Sequence, residues 1–298
     1  MRKQSIIICI FLIATTACKE SKKTVKGEGW SLSQEFDDYW YDGTAEISTF
    51  DVQQARYGEF REGIATQIFV TEPFSTTSFT KDDNPTEETP TVLKLNFTRK
   101  YLTGIYPYSI MSSTFYPLNG DSLSYKISTS MQEWCGNTYM ELIHDGIFEV
   151  AFYSYFQGES KDTLMIPTYL EDDVWSQIRI DQSYLPEGHI DILPSLTFLM
   201  LMHKEIKPYP ATAQLTKGDS LNNYTIEYLT LERKLSIDFE SAFPNKIVGW
   251  RETYTSGFGE NQKVMTSTAV LKKRLKIDYW NKNANKHLFL RDSLGLEK

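Results

Sequence analysis

Cysteine is scarce in this sequence. Of its three cysteines, Cys9 and Cys18 fall within the first 18 residues, and only Cys135 lies in the rest of the chain. No disulfide can therefore form within that remainder, and its stability must come from packing. A single cysteine beside Trp134 is typical of a small buried hydrophobic residue, and the alternative is a thiol nucleophile with His144 as its base.

Long apolar runs and basic clusters are also missing. After residue 18 the longest apolar run, residues 196–202, has seven residues, whereas a membrane-spanning helix needs about 20. The chain has a formal net charge of −8 and no stripe of Lys and Arg. We therefore expect no membrane-spanning helix in this part and no nucleic acid as a partner.

Motifs for catalysis and metal binding are absent as well. The four histidines, at positions 144, 189, 203 and 287, have neither His-x-x-x-His nor His-Glu-x-x-His spacing. There is no Gly-x-Ser-x-Gly motif and no Gly-rich phosphate loop. Acidic groups such as residues 82–83 and 171–173 lack the spacing of a calcium loop. A solvated loop is expected to explain the first group and a helix start the second. The sequence predicts no metal, no cofactor and no catalytic residue; a hydrolase with an unrecognised site is the alternative.

The N-terminus has the order of a secretory signal peptide. Two basic residues at positions 2–3 precede an apolar run over 6–14, and small residues ending in Ala17 come directly before Cys18. This order predicts a signal peptide over residues 1–17 that is cut between Ala17 and Cys18. The stretch also resembles the lipobox of bacterial lipoproteins, which implies that Cys18 carries a lipid and attaches the protein to a membrane. An ordinary signal peptide with an incidental cysteine is the alternative.

Strand-forming patterns dominate the rest of the chain, in which aromatic residues are frequent. Leu93, Leu95 and Phe97 alternate with polar residues, as do the apolar residues of 122–131, which predicts antiparallel strands with one buried face. Further strands are predicted over 44–57, 64–74, 139–143, 147–156, 190–203, 209–216, 224–232, 235–240, 247–255, 263–272 and 275–279. Because residues 147–156 are apolar on both faces, we expect them to form the central strand.

The only predicted helix is Glu171–Ile180, which begins with three acids and has an apolar face. The fold class is mainly β: a single large antiparallel curved sheet or partial barrel with one short helix. By analogy it looks like the half-barrel of the LolA/LolB lipoprotein carriers. We expect a signal peptide at 1–17, a tether at 18–35, a β-rich domain at 36–281 and a loose C-terminal tail at 282–298.

Aromatic residues supply the candidate ligand contacts. They cluster near Pro107 and Pro117 and along 147–156, which is typical of ordinary core packing. The alternative is a pocket for a lipid or another apolar ligand. The candidate contacts are Tyr108, Trp134, Cys135, Tyr139, Tyr153 and Tyr155.

Four segments carry a wider resemblance: residues 39–46 (Tyr-Trp-Tyr-Asp-Gly-Thr-Ala-Glu), 54–58, 132–136 and 204–209. On these segments, residues 36–281 resemble a group of outer-membrane lipoproteins of Bacteroidota. Members are sometimes labelled septum formation inhibitor Maf. Maf proteins are cytosolic nucleotide pyrophosphatases with a Ser-rich N-terminal loop, which this chain lacks, so the resemblance implies a location rather than that activity.

Together these observations predict a lipid-anchored lipoprotein of the outer membrane, on either its periplasmic or its surface face. We expect it to be non-enzymatic and to bind a hydrophobic, lipid or other envelope component. The alternative is a structural or assembly module that binds another envelope protein through an open sheet edge.

Overall fold

The structure is a computed structural model that describes residues 32–120 and 123–296. The predicted signal peptide, Cys18 and the tether up to residue 31 lie outside the described residues. Within the described ranges, no helix is both long enough and apolar enough to cross a membrane.

Strands make up most of the described chain. They are Ala45–Arg56 (β1), Glu59–Ser75 (β2), Thr80–Lys81 (β3), Thr91–Thr103 (β4), Tyr106–Pro117 (β5), Lys126–Glu133 (β6), Gly136–Asp145 (β7), Ile147–Tyr153 (β8), Lys161–Met165 (β9), Tyr169–Leu170 (β10), Gly188–Leu193 (β11), Tyr209–Thr216 (β12), Leu221–Tyr228 (β13), Arg233–Glu240 (β14), Ile247–Ser256 (β15) and Lys263–Ile277 (β16). The α-helices are Gln34–Trp40 (α1), Glu171–Ile180 (α2), Leu196–Leu201 (α3) and Phe289–Ser293 (α4).

All of these strands belong to one open, curved sheet. Its order is β10-β11-β12-β13-β14-β15-β16-β1-β2-β4-β5-β6-β7-β8-β9, with β3 paired to β2 beside this path. Every neighbouring pair is antiparallel except β10 and β11, which are parallel. The pairing of β1 with β16 joins the N-terminal and C-terminal halves into one sheet. The predicted single antiparallel curved sheet is confirmed.

Curvature brings distant strands together around the core. Phe97 on β4 and Trp250 on β15 have ring centroids 5.3 Å apart, although four strand spacings, about 19 Å in a flat sheet, separate their backbones. Trp175 of α2 contacts both rings, at 5.2 and 5.4 Å. All ten residues of α2 and all six of α3 are buried. The two helices therefore fill the space inside the curve.

Two predicted strands are wrong in position or type. Residues 147–156 were expected to be central, but β8 is next to the edge strand β9, and its side chains alternate between exposed and buried. The predicted strand over 190–203 ends at Leu193, and α3 follows it. Ser195 caps α3 by accepting a hydrogen bond from the Phe198 amide at 3.2 Å, and a Pro194-Ser195 step before an apolar run is a helix start.

The C-terminal segment is also more ordered than predicted. Residues 282–296 include a short 3-10 turn and α4 instead of a loose tail. Leu294 is buried, and its carbonyl accepts a hydrogen bond from Thr49 Oγ1 on β1 at 2.6 Å. The domain therefore extends beyond residue 281 at this end, and α1 carries it back to residue 34 at the other.

Candidate functional site

The helix α2 has the bounds that the sequence predicts, but its acids are not solvated. Glu171 is fully buried and is paired with Arg233, which donates to it through both terminal nitrogens, one of them at 2.7 Å. Arg233 also donates to Glu252 at 2.8 Å, and Tyr228 donates to Glu171. This side-chain cluster pairs both buried glutamates with one arginine and ties α2 to β13, β14 and β15.

The next two acids have no cationic partner at hydrogen-bond distance in the described part of the chain. Asp172 accepts from the Leu196 amide at 3.0 Å, and Asp173 accepts from the Ser124 amide and hydroxyl at 3.1 and 2.5 Å. Burial raises the pKa of Asp172 to about 7 and that of Asp173 to about 8. Both carboxyls are therefore able to hold a proton near neutral pH.

The space beside these acids is too small for an organic ligand. The cavity between α2 and the sheet has a volume of about 10 Å³, close to that of a single water probe. A larger depression of about 600 Å³ is open to solvent, and its lining includes Tyr41, Asn119 and Tyr125. No group of three or more His, Cys, Asp or Glu side chains in residues 32–120 and 123–296 is placed to hold a metal ion.

The candidate contacts meet at one end of the sheet. Strand directions and register place the connections at 57–58, 104–105, 134–135, 154–160, 229–232 and 257–262 at the same end. We call it the hairpin end; α1 and the loop 82–90 lie at the opposite end. The predicted contacts Tyr108, Trp134, Cys135, Tyr153 and Tyr155 all lie at or near the hairpin end, on β5 to β8 and their connections.

Aromatic rings form a nearly continuous array there. Tyr106 contacts Trp134 at 6.4 Å and Tyr108 at 6.0 Å between ring centroids. The hydroxyls of Tyr57 and Tyr108 are 2.6 Å apart, and the Tyr57 ring is 5.9 Å from that of Phe258. Trp134 is 68% exposed. Aromatic side chains with one apolar and one polar part are favoured where a surface meets an amphiphilic partner.

A second part of the array begins at Gly136. The Tyr155 ring lies directly over this glycine, where an added Cβ would be 2.4 Å from Tyr155 Cγ, so the site requires glycine. Tyr155, 63% exposed, contacts Phe156, whose ring is 5.0 Å from that of His203. Exposed rings thus continue from the β6–β7 turn to the segment after α3.

Two candidate residues differ from expectation. Cys135 is exposed rather than buried, because it occupies the two-residue turn between β6 and β7. His144 lies near the far end of β7, nine residues along an extended strand or about 30 Å away, so the proposed thiol–imidazole pair does not form. A hydrogen bond to Glu133 and its charge raise the pKa of the Cys135 thiol, which disfavours the reactive thiolate.

The other predicted contact, Tyr139, is on β7 opposite Tyr153. Its hydroxyl donates to Glu141 at 2.5 Å. Burial, and then the hydrogen bond to Glu141, raise the pKa of Tyr139 to about 12. It supports the sheet beside the array but is not linked to its rings by a ring contact.

Sequence reasoning missed the polar centre of the array. Arg56 is half-buried beneath the rings, with its guanidinium carbon 4.4 Å from the Tyr57 ring centroid and 5.3 Å from that of Tyr108. A signal was present: a Tyr-Gly pair stands where a two-residue hairpin turn favours Asn-Gly.

A scan against protein-family models, a search of curated proteins and a search of solved structures find no match for this chain.

Proposed function

We propose that this protein is a lipid-anchored lipoprotein of the outer membrane that acts as a non-enzymatic binding module. Its binding surface is the hairpin end, and its ligand is an amphiphilic component of the envelope. The observation that carries this proposal is the array of exposed aromatic rings around Tyr106 and Trp134. Since α2 and α3 fill the inside of the sheet and leave a cavity of only about 10 Å³ there, binding of an apolar ligand at this surface is favoured over binding inside.

Native mass spectrometry of the full chain carrying Cys18→Ala, which has no lipid of its own, tests the binding. We expect additional masses of bound lipid after extraction from cells. The double variant Trp134→Ala/Tyr155→Ala removes two exposed rings of the array and should lose most of the bound mass. The matched control, Trp280→Ala/Phe289→Ala, removes two exposed rings near the opposite end and should keep it. If the parent chain shows only the mass of the protein without bound lipid, that result contradicts the proposal.

The membrane anchor is tested separately by cell fractionation. We expect the natural chain in the outer-membrane fraction and the Cys18→Ala chain outside it, because one lipidated residue supplies the attachment. Protease treatment of intact cells then distinguishes the surface face, where the protein is degraded, from the periplasmic face, where it is protected. Equal fractionation of the two chains contradicts the lipobox interpretation.

A second candidate function is assembly with another envelope protein at the free sheet edge. Of the two edge strands, β10 has two residues and continues into α2, whereas β9 has five. Leu164 on β9 is 69% exposed, and Ile166, two residues further on, is 84% exposed. An unprotected edge strand with exposed apolar residues is suited to pairing with a strand of a partner.

Amide hydrogen exchange tests this second function. If a partner strand pairs with β9, its outward amides exchange more slowly in native envelopes than in the purified protein. Leu164→Lys should remove that protection, because a charge on an edge strand opposes pairing. Equal exchange in both preparations argues against it.

A further inference from the structure

Arg56 is a cation with no carboxylate partner among the residues that the structure describes. Its Nη1 donates to the Leu201 carbonyl at 2.9 Å, and its Nη2 donates to the hydroxyls of Tyr57 and Tyr108 at 3.3 and 3.2 Å. The fully buried Arg179 and Arg233, in contrast, each pair with glutamate. A half-buried guanidinium whose neighbours are all neutral lacks the counter-charge that normally offsets its desolvation.

Hydrogen-bond donors exceed acceptors around this guanidinium. Nε of Arg56 is buried and has no partner. The hydroxyl of Tyr101, a residue that is only 4% exposed, is also buried without a partner; its ring stacks on Tyr108 at 5.0 Å between centroids. Each such buried group without a partner costs free energy. An anion supplies what this cluster lacks, since it accepts several hydrogen bonds and brings a negative charge.

The backbone of Tyr57 is held in an unfavourable conformation. Tyr57 and Gly58 form the β1–β2 turn with φ of 56° and 76°, the positive values that a type I′ turn requires. Asn, Asp or Gly is favoured at the first of these positions, and a bulky residue there is strained by about 1 kcal/mol or more. The Tyr57 side chain covers the guanidinium and reaches Phe258, which gives a reason to keep a tyrosine there.

We propose that Arg56, Tyr57 and Tyr108 bind the anionic headgroup of an amphiphile, either a carboxylate or a phosphate. Its apolar part lies along Tyr106 and Trp134. The phenols accept hydrogen bonds from the cation. Because their hydroxyls are also bonded to each other at 2.6 Å, one hydroxyl proton remains for the headgroup, and the neighbouring exposed rings supply apolar contact. This inference rests on the proposed function and names the chemistry of its ligand.

Isothermal titration of the full Cys18→Ala chain with defined probes tests it. The probes are dodecyl phosphate, dodecanoate, the neutral dodecyl maltoside, dodecyltrimethylammonium and inorganic phosphate, all below their micellar concentrations. We expect the two anionic amphiphiles to bind most tightly, and inorganic phosphate at least tenfold more weakly than dodecyl phosphate. Equal binding of inorganic phosphate overturns the amphiphile assignment, because the ligand is then a free anion.

Variants distinguish binding of the anionic headgroup from binding of the apolar part to the aromatic surface. Arg56→Gln should weaken binding of the anionic probes at least tenfold and leave the neutral probe unchanged. Arg61→Gln is the matched control: Arg61 lies at the same end but is paired with Glu59 at 2.5 Å, so its loss should change binding less than twofold. Tyr57→Phe keeps the ring and the turn while removing one hydroxyl, and it should weaken anion binding severalfold even if Arg56→Gln does not fold.

The possible failures are distinguishable. If all dodecyl probes bind alike and Arg56→Gln and Tyr57→Phe have no effect, the headgroup site is wrong, while an aromatic binding surface remains. If no dodecyl probe binds, the headgroup site and the proposed function both fail.

Discussion

Arg179, in the last turn of α2, donates two hydrogen bonds to Glu46 on β1, at 2.6 and 2.8 Å, with both side chains fully buried. This pair joins the internal helix to the strand at the centre of the sheet. Although burial opposes ionisation, Arg179 and then Arg274 lower the pKa of Glu46 to about 2. The carboxylate of Glu46 is therefore charged at neutral and mildly acidic pH.

Removing one partner of this pair should be strongly destabilising. Arg179→Met leaves Glu46 buried with Arg274, at 3.4 Å, as its remaining cation, beside hydrogen bonds from Tyr39 and Ser48. We expect a loss of about 3 kcal/mol in the free energy of unfolding. Urea denaturation measures it. The control is Arg251→Met, which breaks the exposed pair with Asp238 and should cost at most about 1 kcal/mol. Equal losses would show that the buried pair does not connect α2 to the sheet.

Stability should fall as the pH rises from about 4 to 8. The folded-state pKa of Asp173, about 8, is above its ordinary value of 3.8, so the folded protein holds a proton that the unfolded chain releases. The contribution of this proton to the free energy of unfolding is fully present below pH 3.8 and is lost as the pH rises through about 8. Between these limits one such group gives a slope of about 1.4 kcal/mol per pH unit; Asp172 adds to the slope up to about pH 7.

Denaturation of Asp173→Asn between pH 5 and 8 checks this dependence. Asparagine keeps the shape and still accepts the hydrogen bond from the Ser124 amide, but it does not titrate. The variant should show a smaller slope than the parent protein and exceed its stability at pH 8. The exposed Asp191→Asn should leave the slope unchanged. A parent slope of zero over this range would contradict burial of these carboxyls.

The C-terminal segment should contribute to stability through Leu294. Leu294→Ala removes a buried side chain and is expected to cost about 2 kcal/mol. Leu288→Ala, in the same segment but exposed, should change stability by less than about 0.5 kcal/mol. Thermal or urea denaturation gives both values. If the two leucines prove equivalent, the segment is a loose tail after all.

Cys135 should react without unfolding, but slowly for an exposed thiol. Glu133 raises its pKa by a hydrogen bond and by its charge, so Glu133→Gln should raise the thiolate fraction and the rate of reaction with Ellman's reagent at pH 8. The measurement uses a chain carrying Cys9→Ser and Cys18→Ala, and Glu149→Gln, an exposed change on β8, is the control. If Cys135 reacts with the reagent only in denaturant, its side chain is buried in the core.

Local patterns predicted most strands because each carries its own signal. The alternation of Leu93, Leu95 and Phe97 reports one buried face, and β4 has that face. The run 196–202 was mistaken for a strand because an apolar run without alternation does not distinguish a buried strand from a buried helix. The preceding residues Pro194 and Ser195 indicate that a helix begins here. Residues 147–156 were misplaced because their sequence does not show which strand lies beside them.

The burial of charge was not predictable from the same patterns. Residues 171–173 resemble a solvated helix start, yet Arg233 comes 62 residues after Glu171, and Ser124 comes 49 residues before Asp173. Contacts at that separation depend on the curvature of the whole sheet. The location of the candidate contacts was easier to predict than the burial of charge. Trp134 and Tyr155 lie in hairpin connections that the turn pattern brings to one end. Arg56 was missed because its partners are neutral and belong to three different elements.

Photocrosslinking in intact cells tests the account most directly. The photoreactive residue p-benzoylphenylalanine replaces Trp134 in one chain and Trp280 in another, and mass spectrometry identifies the adducts. We predict a lipid-sized anionic adduct at position 134 that is lost when Arg56→Gln is added, and no such adduct at position 280. No adduct at position 134, or the same adducts at both positions, would contradict the claim that the hairpin end binds an envelope amphiphile.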